Sequence, residues 1–355
     1  MSTNKYILAP YVGVGMDEKA MYMGFGSLQK LVINKTEQTL ILSAAQNWLV
    51  PKTEDEMIEF LQKEKYFSKD DAQKAVNYLK QGNYLMKASY DKNDRYSRPA
   101  LYYSLSGADP DLVQEKLSNK HVLIIGCGGI GNHISSALAT AGIGKLTLID
   151  FDTIEISNLT RQTLFTEKDE GKSKIEILKR ELLKRNSTIQ IDIIQKESGQ
   201  KDDIFPKCDL AVVSADGNSV VSKFNSYAVK NNIPYINVGY IEDIAIWGPF
   251  VIPGKTGCIA CAKLASNTPF EITSDEDKKK WEIIGKINER YQAPSIWATN
   301  TLASSLAVLD IIRYLGEFGE IMSINRRMGL WTHNLKLDFQ ECPPNKACSV
   351  CGGGV

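Results

Sequence analysis

The hexapeptide Gly126-Cys127-Gly128-Gly129-Ile130-Gly131 stands between an apolar run, His121–Ile125, and a stretch with helical spacing, Gly129–Ala141. A strand that passes through glycines directly into a helix commits the chain to a βα unit. The loop N–H groups and helix N-terminus of such a unit face phosphate oxygens. Glycine suits the loop because a Cβ would block close approach of a ligand to the backbone. Asp150 follows the next apolar run, Leu146–Ile149, where a carboxylate can accept hydrogen bonds from ribose hydroxyls. Loop and acid together call for a nucleotide. On their own they do not separate NAD from ATP.

The alternation continues beyond this unit. Helices are expected over Lys172–Arg185, Ser219–Asn231 and Ile296–Leu315, and strands over Ile189–Ile194, Leu210–Val213 and Tyr235–Val238. Ile244–Ile252 leaves the alternation as an added strand, and two further strand candidates lie at Ile321–Ile324 and Gly329–Thr332. Short apolar strands alternating with longer helices give an α/β fold, a Rossmann-like, mostly parallel sheet with helices on both faces. The first 90 or so residues read differently. Helical spacing over Glu54–Lys65 and Ser68–Lys80, with Ser68 as a cap, is followed by Gly82-Asn83 and a short run Tyr84–Met86, as in a small winged-helix-like α+β domain. The polar stretch 91–98 is the expected linker, dividing the chain into domains 1–92 and 93–355.

Composition narrows the partners. Lys+Arg and Asp+Glu both number 42, so no net field draws the chain to nucleic acid or to a membrane surface. The first residues, MSTNKYILAPYV, lack the basic-then-apolar order of a secretory signal. No apolar run reaches the roughly 18 residues of a membrane span, and a cytoplasmic protein is expected.

The segment after Asp150 bears on the chemistry. Arg161 lies in Ser157-Asn158-Leu159-Thr160-Arg161-Gln162, and Lys174 lies in Gly171-Lys172-Ser173-Lys174 at a helix start. A hydride-transfer enzyme needs no such cations beyond the two phosphates of its cofactor. Reaction at an α-phosphate does, because charge accumulates on phosphate oxygens and departing pyrophosphate. Asp216, just past a strand end, is placed to hold Mg2+ through oxygen. Taken singly, a lysine at a helix start is usually solvated and an aspartate after a strand is often a cap.

Cys258-x-x-Cys261 and Cys348-x-x-Cys351 form a split four-cysteine set. Two such knuckles suit tetrahedral Zn2+ in a closed, structural site. An iron–sulfur cluster or a redox pair fits the spacing less well, for want of further cysteine motifs or a thioredoxin-like context. Gly257 and Gly352 flank the pairs and suit tight turns. Cys127 and Cys208 read as small packing residues, and Cys342 lies close to the second pair.

The ordered motifs RYSR (95–98), GCGGIG (126–131), IDFD (149–152), SNLTRQ (157–162), GKSK (171–174) and SAD (214–216) resemble the activating enzymes of ubiquitin-like proteins and their bacterial relatives in thiamine and molybdopterin synthesis. The resemblance covers about residues 95–355. It implies that Gly126, Gly128, Gly129, Gly131 and the acids Asp150 and Asp152 belong to the nucleotide site. It further implies that Asp150 holds ribose, that Asn158, Arg161, Gln162 and Lys174 contact the triphosphate, and that Asp216 binds Mg2+. Arg98 would reach into the nucleotide site of a partner subunit, which implies a homodimer.

Further stretches resemble the branch of that family that adenylates peptides in microcin C biosynthesis: DLVQEKL (111–117), KRELLKRNS (179–187), PYINVGYIEDIAIWGP (234–249) and IPGKTGC (252–258). By that resemblance the N-terminal domain is a peptide clamp and the substrate a short ribosomal peptide ending in Asn. The Asn carboxylate is adenylated, its side-chain nitrogen closes a succinimide, and that nitrogen attacks a second nucleotide before the ring opens. Some such relatives use CTP in place of ATP, and none of the motifs reads a base edge. An enzyme that uses the substrate's own nitrogen needs no acceptor thiol, and no cysteine here is placed as one. Other readings are activation of a sulfur-carrier protein ending in Gly-Gly, an NAD-dependent oxidoreductase on the glycine loop alone, or a nucleotide-binding module without chemistry.

Overall fold

A computed structural model of the chain describes residues 4–198, 203–215, 218–262, 274–289 and 293–352. It divides into two compact units, Met1–Glu115 and Lys116–Val355.

The first unit is α+β. It opens with β1 (Tyr6–Leu8), β2 (Val14–Met16), β3 (Met21–Met23) and β4 (Lys30–Val32) and continues with α1 (Lys35–Asn47), α2 (Glu54–Lys63) and α3 (Lys69–Gln81). β5 (Leu85–Lys87), α4 (Ser97–Leu105) and α5 (Pro110–Ser118) follow, the last running across the boundary between units. Strands β2, β3 and β4 form one antiparallel sheet, and β1 pairs antiparallel with β5. The expected helices over 54–65 and 68–80 are α2 and α3, each with a side-chain cap, Thr53 and Ser68. The run Tyr84–Met86 enters β5 and closes on the start of the chain. The polar stretch 91–98 leads into α4 within this unit, so the unit extends past that stretch. Trp48, Tyr84, Met21, Met57 and Leu61 fill its core, and the Tyr84 hydroxyl donates to the Met23 and Leu28 carbonyls at 2.9 and 2.5 Å.

The second unit is the expected α/β layer structure. Its elements are β6 (His121–Ile125), α6 (Gly129–Ala141), β7 (Lys145–Ile149), α7 (Lys174–Arg185), β8 (Gln190–Ile194), β9 (Leu210–Val213), α8 (Asn218–Lys230) and β10 (Tyr235–Ile241). Then come β11 (Ile244–Val251), α9 (Asp275–Asn288), α10 (Trp297–Gly316), β12 (Arg326–Trp331) and β13 (Lys336–Glu341). One eight-stranded sheet runs β13-β12-β11-β10-β9-β6-β7-β8. The five strands from β10 to β8 are parallel and the three at the other edge antiparallel. Leu123, Ile125, Ala211, Val213 and Tyr235 share a core with Phe224 and Ala228 of α8. The alternate residues Val122, Ile124, Val212 and Ile236 are as fully buried, and the two-residue period of a strand turns them to the other helical layer.

The chain runs β6, β7, β8 toward one edge and then β9, β10 toward the other. The crevice where that direction reverses, between the ends of β6 and β9, is where open α/β sheets bind ligands. β11 is the expected strand outside the parallel set. Of the two last candidates, Ile324 makes a single bridge to Phe250, whereas 329–331 belong to the longer β12 and Thr332 falls just past its end. Among the described residues no helix is long and apolar enough to cross a membrane.

Candidate active site

Each glycine of the loop has its own reason. Gly126 has φ +88, and a Cβ there would lie 2.6 Å from the Ala215 backbone. A Cβ on Gly131 would lie 2.0 Å from the Gly126 carbonyl oxygen, so this glycine lets helix and strand pack. At Gly129 the neighbour is the Asn300 side chain of α10, at 3.0 Å. Only Gly128 opens outward, its nearest atom beyond the loop being the Gln162 amide nitrogen at 3.9 Å. A Cβ at Gly128 would thus meet open space, while at the other three positions it would meet the protein itself.

Asp150 builds the loop before it meets any ligand. Its carboxylate accepts from the Cys127 N–H at 2.6 Å and the Asp152 N–H at 2.9 Å. Ser214, after β9, donates to the Gly126 carbonyl at 2.8 Å. The loop from Asp150 to Lys174 is strapped by backbone bonds from Ile154 to Lys172, from Gly171 to Ile154 and from Lys174 to Asp152. Its far turn is held by buried Asp169, which accepts from Thr166, Lys172 and Arg180. Burial alone would raise that carboxyl. The hydrogen bonds from Thr166 and Arg180, and then Lys172, outweigh it and hold the pKa at about 2.

These straps place Lys174, 6% exposed, against Asp152 at 2.7 Å. Arg161 donates to the Ser157 carbonyl at 3.0 Å. Its own carbonyl lies 3.0 Å from His133 Nε2, whose pKa burial lowers. Asn158 and Gln162 are both buried, and Gln162 Oε1 has no hydrogen-bond partner among the described residues.

Gly126, Gly128, Gly129, Asp150, Asp152, Asn158, Arg161, Gln162 and Lys174 all line one cavity of about 660 Å³. Gly131 lies behind it, packing the loop. Asp216 lies outside the described residues, directly after Ser214 and Ala215, which line the wall. Arg98, on α4, is exposed in the first unit.

The far wall of the cavity holds residues not singled out from the sequence, although three of them fall in the stretch 234–249. It is built by Asn237, Gly239 and Tyr240 of β10, Asn300 of α10 and Arg327 of β12. A register shift between Ile236 and Val238 makes a bulge at Asn237, whose amide donates to the Val213 carbonyl at 3.0 Å. Bulges of this kind re-aim side chains beside active sites. Asn300 donates to Ser295 at 2.8 Å, yet its Oδ1 is buried with no hydrogen-bond partner among the described residues.

The four knuckle cysteines converge. Cys258 and Cys348 Sγ are 3.7 Å apart, Cys261 and Cys258 3.8 Å, and Cys261 and Cys351 3.4 Å. Four thiolates at about 2.3 Å from a tetrahedral zinc have edges of about 3.8 Å, so the set fits that ion. Asn225 supports it from behind, donating to Cys258 Sγ at 3.6 Å and accepting from the Tyr235 hydroxyl at 2.6 Å. Gly352 makes the expected left-handed turn, φ +60. Gly257 does not: a Cβ there would meet the Cys342 carbonyl oxygen at 2.1 Å, so its part is close packing of the two segments.

The other three thiols are withdrawn. Burial pushes the Cys127 thiol far up, Cys208 to about 12 and Cys342 to about 11. None is poised as a thiolate.

The model of the ThiF family matches residues 96–352. The chain is 33% identical over 266 residues to the sulfur carrier protein ThiS adenylyltransferase of Escherichia coli K12, covering 73% of this chain and 95% of that one. It is 28% identical over 253 residues to the ubiquitin-like modifier-activating enzyme 5 of Caenorhabditis briggsae, where the match spans 66% of this chain and only 54% of the enzyme. Among solved structures, E. coli MccB with AMPCPP and the peptide MccA superposes with a TM-score of 0.88 at 38% identity, covering 98% of this chain and 100% of that one. The same enzyme solved with ATP and with succinimide gives the same score and identity.

Proposed function

We propose that this chain, which belongs to the ThiF family, is an adenylyltransferase that activates the C-terminal carboxylate of a short peptide, as in microcin C biosynthesis. One observation carries the reading: the likeness to MccB extends over 98% of the chain, so it takes in most of residues 1–95, which the family model leaves out.

In this reading the nucleotide lies in the crevice at the ends of β6 and β9. Asp150, already holding the loop, accepts from the ribose, and the Gly128 and Gly129 N–H groups face phosphate oxygens. Gln162 and Asn158 donate to the triphosphate. Arg161 and Lys174 neutralise the charge that grows as a peptide carboxylate oxygen attacks the α-phosphorus and pyrophosphate leaves. Asp216 is the proposed ligand of Mg2+, which when bound offsets phosphate charge. Arg98 is proposed to complete the site of a second subunit in a homodimer.

The acyl adenylate then needs a nucleophile, and the withdrawn thiols offer none. If the last residue is Asn, its side-chain nitrogen attacks the acyl carbon and AMP leaves, giving a succinimide. The same nitrogen attacks the α-phosphorus of a second nucleotide, pyrophosphate leaves, and water opens the ring to a peptide–nucleotide phosphoramidate. Two nucleoside triphosphates are consumed, ATP by family default, with CTP as the alternative. We assign zinc to the four-cysteine cluster as a scaffold.

Pyrophosphate–ATP exchange tests this. Exchange that depends on a short peptide with a free C-terminal Asn is expected. Exchange with a Gly-Gly-ending carrier and none with any Asn-ending peptide would instead make the chain a sulfur-carrier activating enzyme, as the ThiS adenylyltransferase likeness allows.

A further inference from the structure

Four cationic side chains line the cavity: Arg161, Lys174, Lys196 and Arg327. Three are already engaged. Lys174 is paired with Asp152, Arg161 donates to the Ser157 carbonyl, and Lys196 reaches Asp203 at 3.2 Å and the Ile204 carbonyl at 3.1 Å. Arg327 differs. Its Nε is buried with no hydrogen-bond partner, and no ion pair forms on its side chain among the described residues. Desolvation lowers its pKa, the reverse of what a paired guanidinium experiences. An unmatched, largely desolvated guanidinium is costly to the folded state. It is accounted for when the cavity is meant to hold an anion whose two oxygens match its fork of donors.

Which anion follows from position. Asp150 ends β7, and Arg327 lies on β12, five strands away across the sheet. At about 4.8 Å per strand that is on the order of 20 Å, so Arg327 stands at the end of the cavity away from ribose and glycine loop. Asn237, Tyr240 and Asn300 line the same cavity and are neutral hydrogen-bonding groups, suited to amides, with Asn300 lying against the glycine loop at Gly129.

We propose that Arg327 is the group that binds the carboxylate of the acyl substrate and delivers it toward the α-phosphate. The proposal rests on the reading of the chain as an enzyme that activates a C-terminal carboxylate. Pairing with the guanidinium fixes the plane of the carboxylate and leaves an oxygen lone pair free to attack. The Arg161–Lys174 side is thereby reserved for phosphate charge. Discrimination follows: a peptide ending in a carboxamide presents no anion and leaves Arg327 unmatched.

The test uses the full-length protein with Arg327→Gln and Arg327→Lys, and short Asn-ending and Gly-Gly-ending peptides, each as free acid and as carboxamide. Direct binding is measured by calorimetry, for peptides and separately for ATP. In the unaltered protein the free acid of the accepted peptide is expected to bind at least about tenfold tighter than its carboxamide. Arg327→Gln should erase that ratio, leave ATP affinity within about twofold, and lower neither melting temperature nor metal content. Arg327→Lys should restore part of it. Loss of ATP affinity in step with peptide affinity, or an acid-over-amide preference that survives Arg327→Gln, overturns the proposal, as does an unaltered protein indifferent to acid and amide in both peptide series. Which peptide series is accepted bears only on the peptide reading and is scored separately.

Discussion

At the residue scale, the glycine loop separates folding from binding. Gly131→Ala drives a methyl into the Gly126 carbonyl and is expected to cost about 1–3 kcal/mol, by the usual magnitude of overpacking, read as a lowered melting temperature. Gly128→Ala meets nothing closer than 3.9 Å. That variant should melt like the parent yet lose nucleotide binding in calorimetry; retained binding would remove Gly128 from the phosphate cradle. Arg161→Ala and Lys174→Ala are expected to reduce turnover by about 10²–10³, the range for removing one preorganised charge donor, with circular dichroism unchanged. These residues were legible because their order along the chain is itself a signature. Arg327 was not: an arginine in a strand between Arg326 and Met328 has no motif, and only the fold reveals that it faces a cavity unpaired. Asn300 was hidden likewise, as one of several polar residues on a long helix that also carries Thr299, Thr301, Ser304 and Asp310.

At the scale of elements, the strap from Asp150 to Lys174 carries much of the site on one buried carboxylate. Asp169 has a folded pKa near 2, below the unfolded value of about 3.9. Its contribution is therefore fully present above the unfolded value and is lost as pH falls through about 2. Unfolding monitored between pH 5 and 2 should show the parent losing more stability than Asp169→Asn over that window; parallel profiles would show that Asp169 does not anchor the strap. The parallel strands and their helices were readable because the strands are short apolar runs and the helices between them carry apolar residues at helical spacing. α1 was missed although Leu40, Ile41, Ala44 and Ala45 recur at helical spacing in its buried face: the run Thr39-Leu40-Ile41-Leu42 is equally strand-like until Asn34 is seen capping the helix. β13 was missed because all its residues are exposed, so its alternating Leu337 and Phe339 report no buried face. α9 has no buried residue, and a helix without a core face leaves only its Ser274 cap to announce it.

At the scale of the whole molecule, the proposed composite sites make a prediction that no single-subunit enzyme meets. Arg98→Ala and Lys174→Ala should each retain about a hundredth of parental turnover or less alone. Mixed and reassembled, half of the dimers pair one of each, and one of their two sites is intact, so about a quarter of parental activity returns. No recovery would confine Arg98 to its own subunit. Metal removal acts on a different part of the molecule. Chelation, or Cys348→Ser, is expected to lower the melting temperature and, for the variant, the zinc content measured by mass spectrometry. The layered α/β fold and the cysteine pairs were open to sequence reading because both are periodic or spaced patterns. The depth of the first unit was not, since its boundary is set by contacts rather than by the polar stretch at 91–98.

The four-cysteine cluster also has a neighbour that ties it to the proposed acyl site. Asn325 accepts from the Cys342 N–H through its backbone at 2.7 Å and from the Gly257 N–H through its side chain at 2.9 Å. Two residues on, the same strand presents Arg327. One asparagine thus clamps the approach to both cysteine knuckles at the root of the strand that senses the acyl group. Metal starvation should then be graded in its effects: the protein would first become careless about what it activates, and only later forget how to hold a nucleotide.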